Sequence, residues 1–477
     1  MSPKTREKLV RFALLPLAAA ALAIAGCSSG SMINGGGQST VTGSTFVVGT
    51  DAPATVASVV SFQVTLNSVD LVPMGGGTPV SMISGTPSVD FARFNGLQTL
   101  LDMNDVPEGT YTAVTISLGS GTIGYLNTTT PPPSISTMAA SYSNPSVTIT
   151  LANPLVVSHA SAPVGLRIDF DLAKSIQTTG GAINGTVDPT FDVTTVKNSD
   201  SGGYIDEFVA GVVSVNQTGQ SFVIQGPHGE NFTVNVNGQT EWDGTASLST
   251  LSTSDIVQVS GKLDPAEQTL DADEVAILSD SKFYASGQIT YVTPASGAAT
   301  SFDLYVRGLE PTNTGLTLGQ IATVDLSGSE KYSIYWMHNP FTNFLFNSSS
   351  LVAGQAVSVG GPASGASNAS AVTVDRIHLR NWGFNGTIVP NSQNTAQGSF
   401  QMQVSGFAGV LVPETITVYL GNHCDFRYGF GAFSDLSNST NIRVVGLLLK
   451  NSTNGNVVLL ARHVDGFNFT DSATFAF

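Results

Sequence analysis

The chain has 477 residues, of which only 11% are charged, with a formal net charge of −16 and two cysteines. So acidic a body is repelled by nucleic acid phosphates, which argues against DNA or RNA as a partner. Two cysteines cannot build a disulfide framework, and the length exceeds what one hydrophobic core serves, so three or four domains with cores of their own are expected.

The N-terminus opens with Lys4, Arg6, Lys8 and Arg11, followed by an apolar stretch of 15 residues from Phe12 to Gly26. That stretch is too short to span a bilayer, and it ends in Ile24-Ala25-Gly26-Cys27, a bacterial lipobox. The expectation is a signal peptide over residues 1–26, cleaved so that Cys27 becomes the lipidated first residue of an exported protein. Removing four basic residues and Glu7 takes +3 from the total, leaving −16 − 3 = −19 on the remainder. Residues 28–44 are rich in Gly, Ser and Thr and read as a flexible tether with a reach of about 23 Å. Ser28 after the lipidated cysteine, where Asp would favour retention at an inner membrane, points to an outer membrane.

A first domain is expected over residues 45–200. Phe62 to Leu71, Tyr111 to Leu118 and Gly165 to Leu172 alternate apolar and polar residues, as half-buried strands do. Pro107-Glu108-Gly109 is turn chemistry, and Leu97 to Met103 reads as the one helical stretch. Thr50-Asp51-Ala52-Pro53, Pro107-Glu108-Gly109-Thr110-Tyr111 and Asp169-Phe170-Asp171 with Lys174-Ser175 occur here in order. Through them the region resembles a bacterial lipoprotein domain of unknown function, DUF4382. The resemblance implies an immunoglobulin- or transthyretin-like β-sandwich and no established activity.

Beyond residue 200 the chain repeats itself three times. Ser221-Phe222, Ser301-Phe302 and Ser399-Phe400 open strands after Gly211, Gly287 and Gly386. Thr233-Val234, Thr323-Val324 and Thr417-Val418 follow, each with an aromatic residue nine positions after the threonine: Trp242, Tyr332 and Phe426. A later strand ends in Gly261, Gly361 or Gly446. Units at 205–280, 283–380 and 381–467, with a tail at 468–477, read as small β-barrels of the OB kind. The first resembles a second domain of unknown function, DUF5666, through its Gly-Val-Val start and Ser254 to Gly261. The fold class expected is therefore all-β: a sandwich followed by three OB-like barrels, extending as an array if each contacts mainly its neighbours.

Residues 205–280 hold twelve acidic residues and one lysine, a net of −11. The densest part, Asp264, Glu267, Asp271 and Asp273 with Glu274, falls on a hairpin that reads as a solvated surface or a weak Ca²⁺ site without EF-hand spacing. Tyr332, Tyr335, Trp336, His338, Phe341, Phe344 and Phe346 in the second barrel, with Phe426, Tyr428, Phe430 and Phe433 in the third, form the candidate binding surface. They suit a carbohydrate platform or a protein interface, or else loops folded over the barrel ends. Asp51, Asp169 and Asp171 read as turn and strand carboxylates neutralised by Arg167 and Lys174, and His423-Cys424-Asp425 cannot converge on a metal without a turn. With six histidines and no nucleophile, zinc or phosphate-loop motif, the expectation is a non-catalytic envelope lipoprotein without a cofactor. It would hold the membrane through its N-terminal lipid and bind or organise polysaccharide or envelope protein, with glycan binding and, remotely, glycoside hydrolysis as alternatives.

Overall fold

The computed structural model describes residues 41–50, 59–94, 97–127, 131–180, 182–198, 203–226, 231–243, 246–280, 282–310, 315–334, 341–362, 371–405, 411–427, 430–438, 441–451 and 454–466. About two thirds of them lie in strands. Cys27 and its flanking segments fall outside the described residues, as does Asp51.

The first region is built on two main sheets. In one, Thr42–Thr50 runs parallel to Val164–Phe170 and antiparallel to Thr99–Pro107, with Phe191–Lys197 at the edge. In the other, the long strands Val59–Pro73 and Gly109–Asn127 pair along most of their length, flanked by Ser134–Ala139 and Ser146–Val157. Val47, Phe62, Val64, Ile116, Ile168 and Phe170 meet between them in one core. Asp171 caps the single turn of helix Leu172–Ser175 by accepting from the Lys174 amide at 3.0 Å.

The stretch from Leu97 to Met103 is not helical, because Thr99–Pro107 is a strand, and the 3-10 turn lies earlier at Phe91–Phe94. Leu101 faces the sandwich core while Leu100 and Met103 pack against the core of the first barrel. A strand covered on both faces loses its two-residue alternation, so its apolar run imitates a helix. The neighbouring strand does the same: Val47 faces the sandwich, Phe46 and Val48 the barrel.

The three following units share one topology. In the first, Tyr204–Asn216 pairs with both Ser221–Gln225 and Ile256–Asp264, Ser221–Gln225 pairs with Asn231–Asn235, and Thr269–Ser279 closes the ring. Closure is parallel, Asn231–Asn235 against Thr269–Ser279, which is the strand order of an OB barrel. The third unit repeats this as a closed barrel of Trp382–Ile388, Ser399–Ser405, Thr415–Arg427, Ile442–Lys450 and Val457–Gly466. In the second, the fifth strand is split into Ala371–Thr373 and Arg376–Arg380, each keeping its own partner.

Register shows how deep the repetition runs. Thr233, Thr323 and Thr417 lie opposite Thr269, Ala371 and Val458, and the aromatics nine positions later lie opposite Val275, Ile377 and Val464, six residues on in every case. Phe222, Phe302 and Phe400 are fully buried at one equivalent position. The repeated glycine is explained by close approach: a Cβ on Gly261, Gly361 or Gly446 would meet the carbonyl of Asp271, Thr373 or Leu460 at 2.1, 2.9 and 2.1 Å. Those carbonyls are themselves equivalent, so each barrel needs a residue without a side chain where its fourth strand crosses its fifth.

The barrels do not extend as a simple array. The first packs on the outer face of the sandwich through Phe46, Val48, Leu100 and Met103. The second meets the sandwich too, with Tyr305 against Val60 and Leu126. Leu447, Leu449, Val458 and Leu460 of the third join the core of the second. Arg462 of the third reaches Asp206 of the first at 3.7 Å.

Candidate functional site at the junction of the β units

Where a strand has one face in a barrel core, its other face is set by the alternate residues. In the second barrel the last strand reads Arg376-Ile377-His378-Leu379-Arg380, with Ile377 and Leu379 inward and the three basic residues outward. The first barrel presents acids to them. Arg376 lies 3.5 Å from Asp280, His378 Nδ1 2.9 Å from Asp243, and Arg380 is ion-paired with Glu207. Burial pushes the Asp243 carboxyl up, but the charge and hydrogen bond of His378, aided by Ser333 and Arg376, outweigh it and leave it below the usual range. Between these pairs Ile256, Ala276 and Leu278 pack against Tyr284. The approach is close enough that a Cβ on Gly360 of the second barrel would meet the Leu278 carbonyl of the first at 2.4 Å.

Glu207 is placed by an irregularity. The pairing of Tyr204–Asn216 with Ile256–Asp264 shifts register between Ile205 and Phe208, and Glu207 sits there at φ 51°, its amide donating to Ser260 Oγ at 3.0 Å. A non-glycine residue in the left-handed region persists only where its surroundings hold it. Here the bulge turns a carboxylate, 4% exposed, toward the neighbouring barrel.

Glu207 and Arg380 border a cavity of about 40 Å³ whose wall draws residues from all four β units. The sandwich supplies Arg93 from the 3-10 turn whose Phe91 and Phe94 are buried in its core. The first barrel supplies Asp206 and Glu207, the second Gln288, Arg307 and Arg380, and the third Trp382. Asn381, also on the wall, is the only residue between the last strand of the second barrel and the first strand of the third. Arg307 is ion-paired with Asp90 of the sandwich at 3.3 Å, bonded to Gln288, and stacked over Trp382 at 4.9 Å from the ring centre. The arrangement is a buried, polar, arginine-rich meeting point able to hold water or a small polar ligand.

The sequence-identified candidates lie elsewhere. Tyr332 and Phe426 occupy the same position as Trp242, and each packs, half-buried, against its own barrel core. Phe341 and Phe344 also pack against the core of the second barrel, and Phe341 meets Tyr419 of the third at 4.9 Å. The described rings meet edge to face, Tyr332 with Phe346 at 80° and Phe341 with Phe344 at 64°, so they form no coplanar platform. Tyr335, Trp336, His338 and Tyr428 lie outside the described residues.

On the acidic hairpin, Asp264 Oδ1 accepts from the Ala266 and Glu267 amides, closing its own turn, and Asp271 accepts from Asn235 at 2.9 Å. Asp271 and Asp273 are exposed, while Glu274, beyond the register shift opposite Ser260 and Gly261, is buried on the same outer face. Among the described residues, no group of three or more His, Cys, Asp or Glu converges as metal ligands do. Asp171 is engaged as a helix cap and with Lys174 at 2.8 Å. Burial pushes the Cys424 thiol up to about 12.

One buried polar group escaped notice in the sequence. In the third barrel Asp465 accepts from Arg443 Nε at 2.9 Å and pairs with His463 Nδ1 at 3.0 Å. Burial opposes the Asp465 charge, yet His463 and Arg443 outweigh it and hold the carboxyl at about 2, while burial lowers His463 itself. These positions correspond to Glu274 and Ala276 in the first barrel and to Arg376 and His378 in the second.

Fold and site together define an all-β protein of tandem units fastened through polar outer faces. Residues 42–187 match the family model of a domain of unknown function (DUF4382), and residues 210–276 match that of a second domain of unknown function (DUF5666), in the order expected from the motifs. No curated protein matches the chain.

Proposed function

We propose that the chain is a non-catalytic, lipid-anchored protein of the bacterial envelope, in which the sandwich and three barrels act as one structural or interaction body held outside the cytoplasm by Cys27. The observation that carries this reading is the use made of the buried charges. Asp90, Asp206, Glu207 and Asp243 each pair with a basic residue of another β unit, so they fasten the units together. The half-buried aromatics at the contact of the second and third barrels support the same reading.

The partner is an envelope protein or polysaccharide met by the outer surface, and the membrane is met through lipid. Two experiments test this. A Cys27→Ala variant is expected to fold normally and leave the membrane fraction; its retention there would overturn the anchor. A glycan array probed with and without Ca²⁺ is expected to give no binding that depends on the aromatic insert. Binding abolished by Tyr335→Ala and Trp336→Ala would replace the scaffold with a carbohydrate-binding role.

A further inference from the structure

The charges at the junction do not balance. Four arginines meet there, Arg93, Arg307, Arg380 and Arg462, against three acids, and each acid has an arginine partner: Asp90 with Arg307, Glu207 with Arg380, Asp206 with Arg462. Arg93 is left over. Its guanidinium lies 5.5 Å from the Phe94 ring centre and has no ion pair or hydrogen bond among the described residues. Burial disfavours its charge and nearby Arg380 adds to the penalty, which Tyr284, Asp90 and Glu207 offset only in part. A half-buried charge with no contact partner is costly unless something neutralises it.

A second observation points into the same cavity. Asn381 is 1% exposed, and neither its amide nitrogen nor its carbonyl oxygen has a partner. Such groups are normally hydrogen-bonded, and one left without a partner calls for a bound species. Glu207 Oε1 is likewise unpartnered and needs a donor. The chain offers Asn381 little choice, since the strands on either side of it belong to different barrels.

We propose that the junction cavity is a binding site for one small oxyanion of three or four heavy atoms, such as a small carboxylate or bicarbonate, held by Arg93 and Asn381. The cavity, about 40 Å³, has room for roughly three waters or one such ion. A guanidinium fork suits two oxygens of a planar anion, and the Asn381 amide adds a neutral donor. An oxyanion carrying a hydroxyl, or a water beside it, supplies the proton that Glu207 Oε1 lacks. Because every β unit borders the cavity, the bound ion, by balancing the charge of Arg93, leaves the centre of the assembly neutral.

The test uses the purified full-length protein in a buffer whose only other anion is a bulky sulfonate, titrated at constant ionic strength with sodium nitrate, acetate or bicarbonate. Calorimetry is expected to show saturable one-to-one binding of at least one of them, with a matching rise in Tm. Arg93→Gln is expected to abolish binding while leaving Tm in anion-free buffer unchanged or higher. Asn381→Ala is expected to weaken binding by roughly tenfold or more, the value of a hydrogen bond to a charged group. Absence of saturable binding by all three anions overturns the proposal, as does undiminished binding by Arg93→Gln. A large loss of Tm in Arg93→Gln without anion makes Arg93 a packing residue and overturns it too. Should that variant fail to fold, unchanged affinity in Asn381→Ala does the same.

Discussion

The first and second barrels repeat one another at inward positions and differ at outward ones. Inward positions repeat: Phe222 with Phe302, Val234 with Val324, Trp242 with Tyr332, Gly261 with Gly361. Outward positions of the fifth strand read Glu274, Ala276 and Leu278 in one and Arg376, His378 and Arg380 in the other. The core of a small barrel accepts few alternatives because its packing is dense. An outer face is free to change, and here the basic strand of the second barrel meets acids that the first supplies from other elements, Glu207, Asp243 and Asp280. The −11 charge of residues 205–280 therefore includes two distinct sets: an exposed hairpin, and acids committed to neighbouring units.

The largest expected effect comes from breaking the opposed faces. Glu207→Ala leaves Arg380 buried without its carboxylate and should cost about 3–5 kcal/mol in urea unfolding. Acid is next. Asp465 falls from 3.8 to about 2 on folding, so it contributes about 2–3 kcal/mol above pH 4 that is lost as the pH falls through 2. His463, lowered by burial, favours the folded state fully only above about pH 6.5, so its contribution also shrinks as the pH drops. A His463→Gln variant should lose the part of the urea-midpoint slope that starts below that value.

Smaller effects sharpen the likeness of the interiors. Trp242→Ala, Tyr332→Ala and Phe426→Ala should each lower stability by about 2 kcal/mol, less than a fully buried aromatic because all three are only partly buried. Similar losses at all three would mark one structural position; a loss confined to Trp242 would separate the copies. Gly360→Ala should cost about 1–3 kcal/mol by forcing the Leu278 carbonyl away. Asp273→Ala removes the same charge as Glu207→Ala from the same barrel, yet at an exposed site it should stay within about 0.5 kcal/mol.

Local patterns carried much of the fold. Two-residue alternation marked Phe62 to Leu71 and Tyr111 to Leu118, and the Ser-Phe, Thr-Val and Val-x-Val-x-Gly elements marked the repeats, because both reflect one strand and its own core. Leu97 to Met103 misled because a second core covers the outer face of that strand. The junction was invisible for a related reason. Arg376-Ile377-His378-Leu379-Arg380 announces a basic outer face but cannot say that another barrel covers it. Nor does any local signal place Glu207 on a bulge, since its left-handed backbone is imposed by the strand opposite. Asn381 is buried only because two barrels meet around a single connecting residue.

The claim that complementary outer faces fuse the β units into one body is tested most directly by asking whether they unfold together. Two single-tryptophan variants, one keeping Trp242 in the first barrel and the other Trp382 at the start of the third, would be unfolded in urea and followed by fluorescence. Coincident transitions with a common midpoint are predicted. A Trp242 transition complete while Trp382 still reports native structure would contradict the account.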